Sequence, residues 1–180
     1  MGQIVGEDFS LSRDRAQLLI TKEVMRHLKR FHDDTKIVIE RNYVDKVYRD
    51  SYYTYYASKR TSYGRDAIKL SFFSDVADQI RIDTFKKTDK VTFLEESYRG
   101  FIVLRPTPPY IVGRSAIAPN LLKSNSFKTC LAYMPSTAVG LKVCAQAFPF
   151  SSQDTETICC AETMIWALME YYGNKYAEYS

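Results

Sequence analysis

Histidine and tryptophan are scarce in this sequence, which has 2 His and 1 Trp among 180 residues. The cysteines have neither a Cys-x-x-Cys spacing nor a neighbouring histidine, so the usual spacing of a zinc site is missing. The sequence therefore predicts no metal site and no cofactor. All four cysteines are expected to be free thiols, and they are Cys130, Cys144, Cys159 and Cys160.

Long apolar runs are also missing. No stretch approaches the ~20 residues that a helix needs to cross a bilayer. The first residues lack the positive region and the apolar region of a secretory signal, and Gly6 stands where a myristoylation motif requires Ser or Thr. We therefore expect a cytoplasmic protein with no membrane partner. The hydrophobic content of 46% is ordinary for a globular chain and excludes a disordered one.

Charge divides the chain into two parts. Residues 150–180 carry one basic and five acidic side chains, which leaves 24 basic and 16 acidic side chains in residues 1–149. The first part therefore has a net charge of 24 − 16 = +8, and the second has 1 − 5 = −4. Because the hydrophobic periodicity changes at the same place, we predict a basic α+β domain at 1–149 and the start of another domain at 150–180.

The patterns along the first part predict an α+β fold of N-terminal helices followed by a mostly antiparallel sheet. Helical periodicity covers 9–32 and 42–58, with a short helical turn at 93–98. Alternating or continuous apolar runs predict strands, with a turn at Pro135 and Ser136; the runs are 36–40, 66–72, 100–105, 110–114, 127–133 and 139–148. In 66–72, Lys69 and Ser71 alternate with apolar residues, which predicts a half-buried strand.

The last helix is predicted to start at the adjacent cysteines. One apolar face, expected to be buried, consists of Ala161, Met164, Ile165, Leu168 and Tyr172. Gly173 is expected to end the helix. A helix N-terminus favours thiolate over thiol, so a cysteine there is suited to be a nucleophile. The Gln153 amide, a few residues upstream, can donate to the oxyanion of an acyl-transfer intermediate.

This segment resembles a known family. Gln153-Asp, five residues, Cys160-Ala and an apolar helix that closes on Tyr-Tyr-Gly are similar to the nucleophile segment of papain-like cysteine peptidases, especially the bacterial branch that includes bacteriocin-processing enzymes. The resemblance implies that Cys160 is the nucleophile, with Cys159 as the alternative, and that Gln153 belongs to the oxyanion hole. The substrate would be a peptide or protein.

The family order places a histidine and then Asp or Asn after the nucleophile, whereas no histidine follows Cys160. The resemblance therefore implies that this chain is an N-terminal portion. The catalytic His would come from a missing C-terminal half or from a partner chain, and the segment alone would be inactive.

Two other features suggest binding. Arg105 and Arg114 each end an apolar strand and can hold a carboxylate or phosphate, but pairing with acidic neighbours such as Glu95 or Glu96 is the favoured interpretation. Seven tyrosines in 43–63, followed by basic residues, can stack on single-stranded nucleic acid, or they can form an amphiphilic edge of the core. The alternatives to a peptidase or acyl transferase are thus a non-catalytic regulatory or interaction module of degenerate peptidase fold, and a basic, tyrosine-rich nucleic-acid-binding protein.

Overall fold

The computed structural model describes residues 1–74, 91–124, 130–153 and 160–176. These residues form the predicted α+β fold, with a curled antiparallel sheet and a C-terminal helix. The α-helices are α1 (Gly2–Asp8), α2 (Arg13–Leu19), α3 (Met25–Leu28), α4 (Lys46–Thr54), α5 (Val91–Ser97) and α6 (Cys160–Lys175). The strands are β1 (Lys36–Tyr43), β2 (Ala67–Phe73), β3 (Tyr98–Leu104), β4 (Ser115–Ile117), β5 (Ala132–Ala138) and β6 (Leu141–Phe150).

The described strands pair in the order β1-β2-β3-β4-β6-β5, and every neighbouring pair is antiparallel. Most pairs therefore join strands that are consecutive in the chain. The exception among the described strands is the pair of β4 with β6, because β6 lies between β4 and β5 in the sheet. β1 and β5 form the two edges of the sheet.

The N-terminal helices cover the convex face of the sheet. A π-helical turn (Ile20–Val24) joins α2 to α3, so the helix predicted within 9–32 is confirmed, whereas α1 had not been predicted. From β2, Ile68, Leu70 and Phe72 point into this layer and are fully buried. The rings of Phe31 and Phe72 meet edge to face with centroids 5.0 Å apart. Aromatic pairs in this geometry add specificity to the hydrophobic burial.

The concave face carries a second core, formed largely by alanines and medium-sized residues of β5 and β6. Lys69, Ser71 and Phe73 of β2 point into it and are also fully buried. The prediction that β2 is half-buried was therefore wrong. Alternation of polar and apolar residues distinguishes the two faces of a strand, but it does not say that the polar face is in water.

Side chains join the two edge regions of the curled sheet. The Lys69 ammonium of β2 donates to the Ser136 hydroxyl of β5, 2.6 Å away, and to the Thr137 carbonyl. The Val139 N–H, just after β5, donates to Glu40 Oε1 of β1 at 3.0 Å. Strands at opposite ends of the strand order can touch in this way only because the sheet curls almost into a barrel.

Two predicted details of the sheet were wrong. Pro135 and Ser136 lie within β5 and not in a turn; the turn falls at Val139 and Gly140, both with positive φ. Proline is tolerated in β5 because an edge strand leaves one row of N–H groups unpaired. The strand predicted at 110–114 is reduced to one bridge, from Val112 to Leu104, and β4 starts at Ser115.

Gly100 is required where β3 passes β4. Its φ is +116°, and an added Cβ would lie 2.2 Å from the Ala116 carbonyl oxygen. We expect Gly100→Ala to lower the free energy of unfolding by about 3 kcal/mol or more, because both the backbone and the neighbouring strand must shift. Gly173→Ala, at an open helical position, should change it by less than about 1 kcal/mol. Urea denaturation compares the two variants, and similar losses in both would contradict this account of Gly100.

Candidate active site

The predicted thiol site begins at the N-terminus of α6. The helix starts at Cys160 as expected, but it continues through Gly173 to Lys175. Gln153 is exposed at the end of the described residues 130–153. Cys159 and the Cys160 side chain lie outside the described part of the structure. The approach of the Gln153 amide to a thiol therefore stays a prediction.

The apolar face of α6 that was predicted to be buried faces solvent. Met164, Ile165, Leu168 and Tyr172 are 49–62% exposed, and Met169 is 69% exposed. The helix packs instead through Trp166. The helical periodicity was correct, but α6 is apolar on more than one side, and the contact of the Trp166 indole decided which side packs on the sheet. We call Met164, Ile165, Leu168, Met169 and Tyr172 the outer face of α6.

Arg114 fixes α6 to the sheet. Its Nη2 donates to Glu162 Oε1 at 2.8 Å, and its guanidinium carbon lies 5.0 Å from the centre of the Trp166 ring. Trp166 Nε1 in turn donates to Glu170 Oε1 at 2.9 Å. Arg114 thus pairs with an acidic side chain, as the alternative to ligand binding predicted, but the partner is Glu162 of α6 and not Glu95 or Glu96.

Arg105 holds the segment before Gln153. Its Nη2 donates to the carbonyl oxygens of Ser152 at 3.0 Å and Val112 at 3.3 Å, and its side chain covers Gly113. The two arginines thus position the chain on either side of the candidate nucleophile. Their predicted role in holding a ligand anion stays a prediction.

A second group of reactive side chains lies on the concave face, around Lys69. The Lys69 side chain is 0% exposed, and its Nζ lies 2.6 Å from the Ser136 hydroxyl oxygen. The ring centres of Tyr43 and Phe101 each lie 5.0 Å from the same Nζ. Burial lowers the pKa of Lys69 to about 8, although Glu40 and Asp45 act in the opposite direction. An ammonium is costly in this environment because the protein replaces only part of its hydration.

Several polar atoms beside Lys69 are incompletely paired. Glu40 Oε2, Ser71 Oγ and the Tyr98 hydroxyl are buried without a hydrogen bond to any described residue. The Tyr98 hydroxyl is near enough to Ser136 and Ser71 for both to favour its ionised form, but burial dominates and raises its pKa. Tyr98 therefore stays protonated, with the Ser71 and Ser136 hydroxyls beside its O–H group. We call Lys69, Ser136, Tyr98, Ser71 and Glu40 the concave-face cluster.

An open cavity of about 860 Å³ lies between the sheet and α6 and reaches the concave-face cluster at Ser136. Phe101, Met134, Val143 and Trp166 supply apolar wall. Charged side chains of Lys142, Arg114, Glu95 and Glu170 also line it. A cavity of this size with a few converging polar groups has the usual form of a small-molecule site. Ser136 is half-buried and separates the open space from the fully buried Lys69.

Sequence patterns did not indicate the concave-face cluster. Lys69 was assigned to a solvated strand face, and Ser136 to a turn because proline precedes it. The only available signal was a lysine inside a strand that is otherwise rich in apolar residues, and this is ambiguous until the curl of the sheet is known.

The tyrosine-rich segment contributes to the core. Tyr48 and Tyr56 are buried, and the rings of Tyr48, Tyr52, Tyr56 and Tyr63 contact one another along α4 and the following turn. Tyr48 also donates its hydroxyl to the Gly64 carbonyl at 2.5 Å. Tyr48 and Tyr56 therefore belong to the core, as the alternative to nucleic-acid stacking predicted for this segment. Tyr53, by contrast, is 62% exposed.

Two further classes of site find no counterpart in the described ranges. No helix there is both long and apolar enough to cross a membrane. No group of three or more His, Cys, Asp or Glu side chains is placed to hold a metal ion among these same residues.

The orientation of α6 can be tested by a pair of substitutions. Trp166→Ala should lower the free energy of unfolding by about 2 to 4 kcal/mol, because it empties the contact between helix and sheet. Met169→Lys, on the outer face of α6, should change it by less than about 0.5 kcal/mol. Urea denaturation measures both. A large loss in Met169→Lys would show that the outer face is buried after all.

The pKa of Lys69 predicts a dependence of stability on pH. Between about pH 8 and 10.5 the unfolded chain binds the lysine proton more strongly than the folded one, so the free energy of unfolding rises with pH in this window. From about pH 7 to 9.5 this rise should be about 2 kcal/mol. It should be lost in Lys69→Met and kept in Lys142→Met, an exposed lysine of the same cavity. An equal rise in wild type and Lys69→Met would contradict the burial of a charge at Lys69.

Comparisons of the chain with models of protein families, with curated proteins and with solved structures found no match. The resemblance of segment 148–173 to papain-like peptidases therefore rests on its motif residues alone. What α6 and the concave-face cluster can do chemically follows from their own geometry.

Proposed function

We propose that this chain is the N-terminal portion of a papain-like cysteine peptidase or acyl transferase. In this mechanism the Cys160 thiolate attacks a peptide or amide carbonyl carbon, forms a thioester and expels the amine. Gln153 donates its amide N–H to the oxyanion, and Cys159 is the alternative nucleophile. The observation that carries the proposal is that α6 begins at Cys160, where the unpaired N–H groups and the helix dipole stabilise a thiolate.

The charges at the start of α6 support this assignment. Glu162, in the first turn, would by itself raise the pKa of a neighbouring thiol. Arg114 neutralises that carboxylate through its 2.8 Å ion pair, so the positive end of the helix still acts on Cys160. Arg114 therefore has a positioning and electrostatic role in the proposal, not a direct catalytic one.

The general base is assigned to a histidine outside this segment, either in a C-terminal half or on a partner chain. His27 packs against Phe150 with ring centroids 5.6 Å apart, and the backbone N–H of His32 donates to the Leu121 carbonyl. Both histidines thus lie with α3 and the helical layer. The outer face of α6 supports the addition of further protein, because large apolar side chains on one helix face are usually covered. No cofactor is needed for this chemistry, and the substrate is a peptide or protein.

The outer face of α6 also favours a second candidate, a non-catalytic interaction module of degenerate peptidase fold. Binding through α6 requires no activated thiol, whereas acyl transfer does. The reactivity of Cys160 therefore separates the two functions.

Alkylation by iodoacetamide at about pH 7 tests the proposal, with the label located by peptide mass spectrometry. We expect Cys160 to react about 10-fold faster than free cysteine, because a lowered pKa increases the thiolate fraction. Cys144 is an internal control that should react more slowly, since burial raises the pKa of its thiol. Rapid labelling of Cys159 would exchange the two nucleophile assignments. Labelling of both no faster than free cysteine would favour the non-catalytic module.

Substitutions at the Arg114–Glu162 pair refine this test. Arg114→Met should slow alkylation of Cys160 about 3- to 10-fold, because it leaves the Glu162 carboxylate uncompensated at the helix start. Adding Glu162→Gln should restore the rate. A rate that stays low in the double variant would assign the loss to displacement of α6 and not to charge.

A further inference from the structure

We propose that Ser136 and Lys69 form a second nucleophilic site, in which the Ser136 hydroxyl is acylated by a carboxylic ester bound in the concave cavity. This site is independent of the cysteines at the start of α6. It rests on the geometry of β2, β3 and β5, which places a nucleophile, a base, an orienting group and an oxyanion donor together.

The first requirement is a nucleophile within reach of a base. Lys69 Nζ and Ser136 Oγ are 2.6 Å apart, inside the range of a serine that transfers its proton to a neighbouring amine. The Thr137 carbonyl accepts a second hydrogen bond from Lys69 and holds the amine towards Ser136. In its neutral form Lys69 can keep that bond while its lone pair accepts the Ser136 proton.

The second requirement is that the base be shielded while the nucleophile is accessible. Lys69 is fully buried among Tyr43, Phe101 and the strands, whereas Ser136 lines the cavity. Such burial keeps a fraction of the amine neutral near physiological pH and excludes water from it. A lysine whose only purpose was to join the sheet edges would gain more from a carboxylate partner. Glu40 lies directly opposite Lys69 in the β1–β2 register, but its Oε1 accepts from Val139 instead.

The third requirement is a donor for the developing oxyanion. The Tyr98 hydroxyl lies beside Ser136 and Ser71 and remains protonated, and it has good hydrogen-bond geometry to neither of them. Tyr98 itself is 2% exposed, so an unpaired hydroxyl there is costly in the absence of a ligand. An acyl oxygen at Ser136 would supply the missing acceptor.

The chemistry balances with water as the second substrate. Ser136 Oγ forms a bond to the acyl carbon while its proton moves to Lys69 Nζ. The ester C–O bond then breaks, and the Lys69 ammonium returns the proton to the departing alkoxide. Water attacks the acyl-serine with Lys69 again as base, which releases the carboxylic acid and restores both residues. The apolar walls at Phe101, Met134 and Trp166 favour an apolar acyl group.

The probe for this site is an alkyl fluorophosphonate, whose phosphorus is attacked by an activated serine with loss of fluoride. Intact-mass measurement on the whole chain should show one adduct per molecule, and peptide mapping should place it on Ser136. Ser136→Ala should abolish the adduct, and Lys69→Arg, which keeps a cation but removes the base, should slow labelling about 100-fold or more. Ser58→Ala, an exposed serine bonded only to the local backbone, should react like wild type.

A pH profile on wild type covers the case in which Lys69 variants fail to fold. The labelling rate should rise through about pH 8 and level off as Lys69 loses its proton. The other titratable groups facing Lys69 are Glu40 and Asp45, which favour its protonated form, and Tyr43 and Tyr98, whose pKa values are raised by burial. Tyr98→Phe should slow labelling at least 10-fold if its hydroxyl serves the oxyanion.

Three results would overturn the proposal. They are no adduct on folded wild-type protein at about pH 9, an adduct on another residue with none on Ser136, and a rate that is constant from about pH 7 to 9.5. An adduct on Cys160 with none on Ser136 would overturn the serine site and leave the thiol nucleophile standing, so the two proposed sites fail separately.

Discussion

The rest of the structure depends on how one buried ammonium is accommodated. Lys69 reaches from β2 across the concave face to β5, where Ser136 and Thr137 receive it. A charge removed from water is tolerated only if its donors are used, so the curl of the sheet and the position of Lys69 determine each other. A flatter sheet would leave the ammonium without oxygen partners. A neutral apolar residue would remove these hydrogen bonds and leave the apolar core of the concave face to hold β2 and β5 together.

The curl also defines where α6 can sit. Because the concave face is narrowed by the contact between β2 and β5, a helix can cover its opening through one large side chain, Trp166, with Arg114 stacked beside it. The remaining length of α6 then projects an apolar face outwards. The uncovered helix face and the cavity beneath it thus have a common origin in the shape of the sheet.

Local sequence patterns predicted the helices and strands better than they predicted which face of each element is buried. Periodicity and turn residues indicated most of the elements correctly. These include the helix from α2 to α3, the strands β1, β2 and β3, and the start of α6 at Cys160. Burial was mispredicted twice, at the polar face of β2 and the apolar face of α6. In both cases the periodicity was correct, and the error was in which face meets other protein. That choice depends on contacts between residues distant in sequence, such as Lys69 with Ser136, which no local pattern contains.

The near closure of the sheet has a consequence for self-assembly. An open edge strand offers a row of backbone groups to any extended chain that arrives, and this is a common route to aggregation. Here β1 and the end of β5 are drawn together by Glu40 and Val139, and Pro135 deprives β5 of one donor. Aggregation by pairing of the edge strands β1 and β5 is therefore disfavoured. At high protein concentration, molecules would associate through their helix faces before they associate through β-strand pairing.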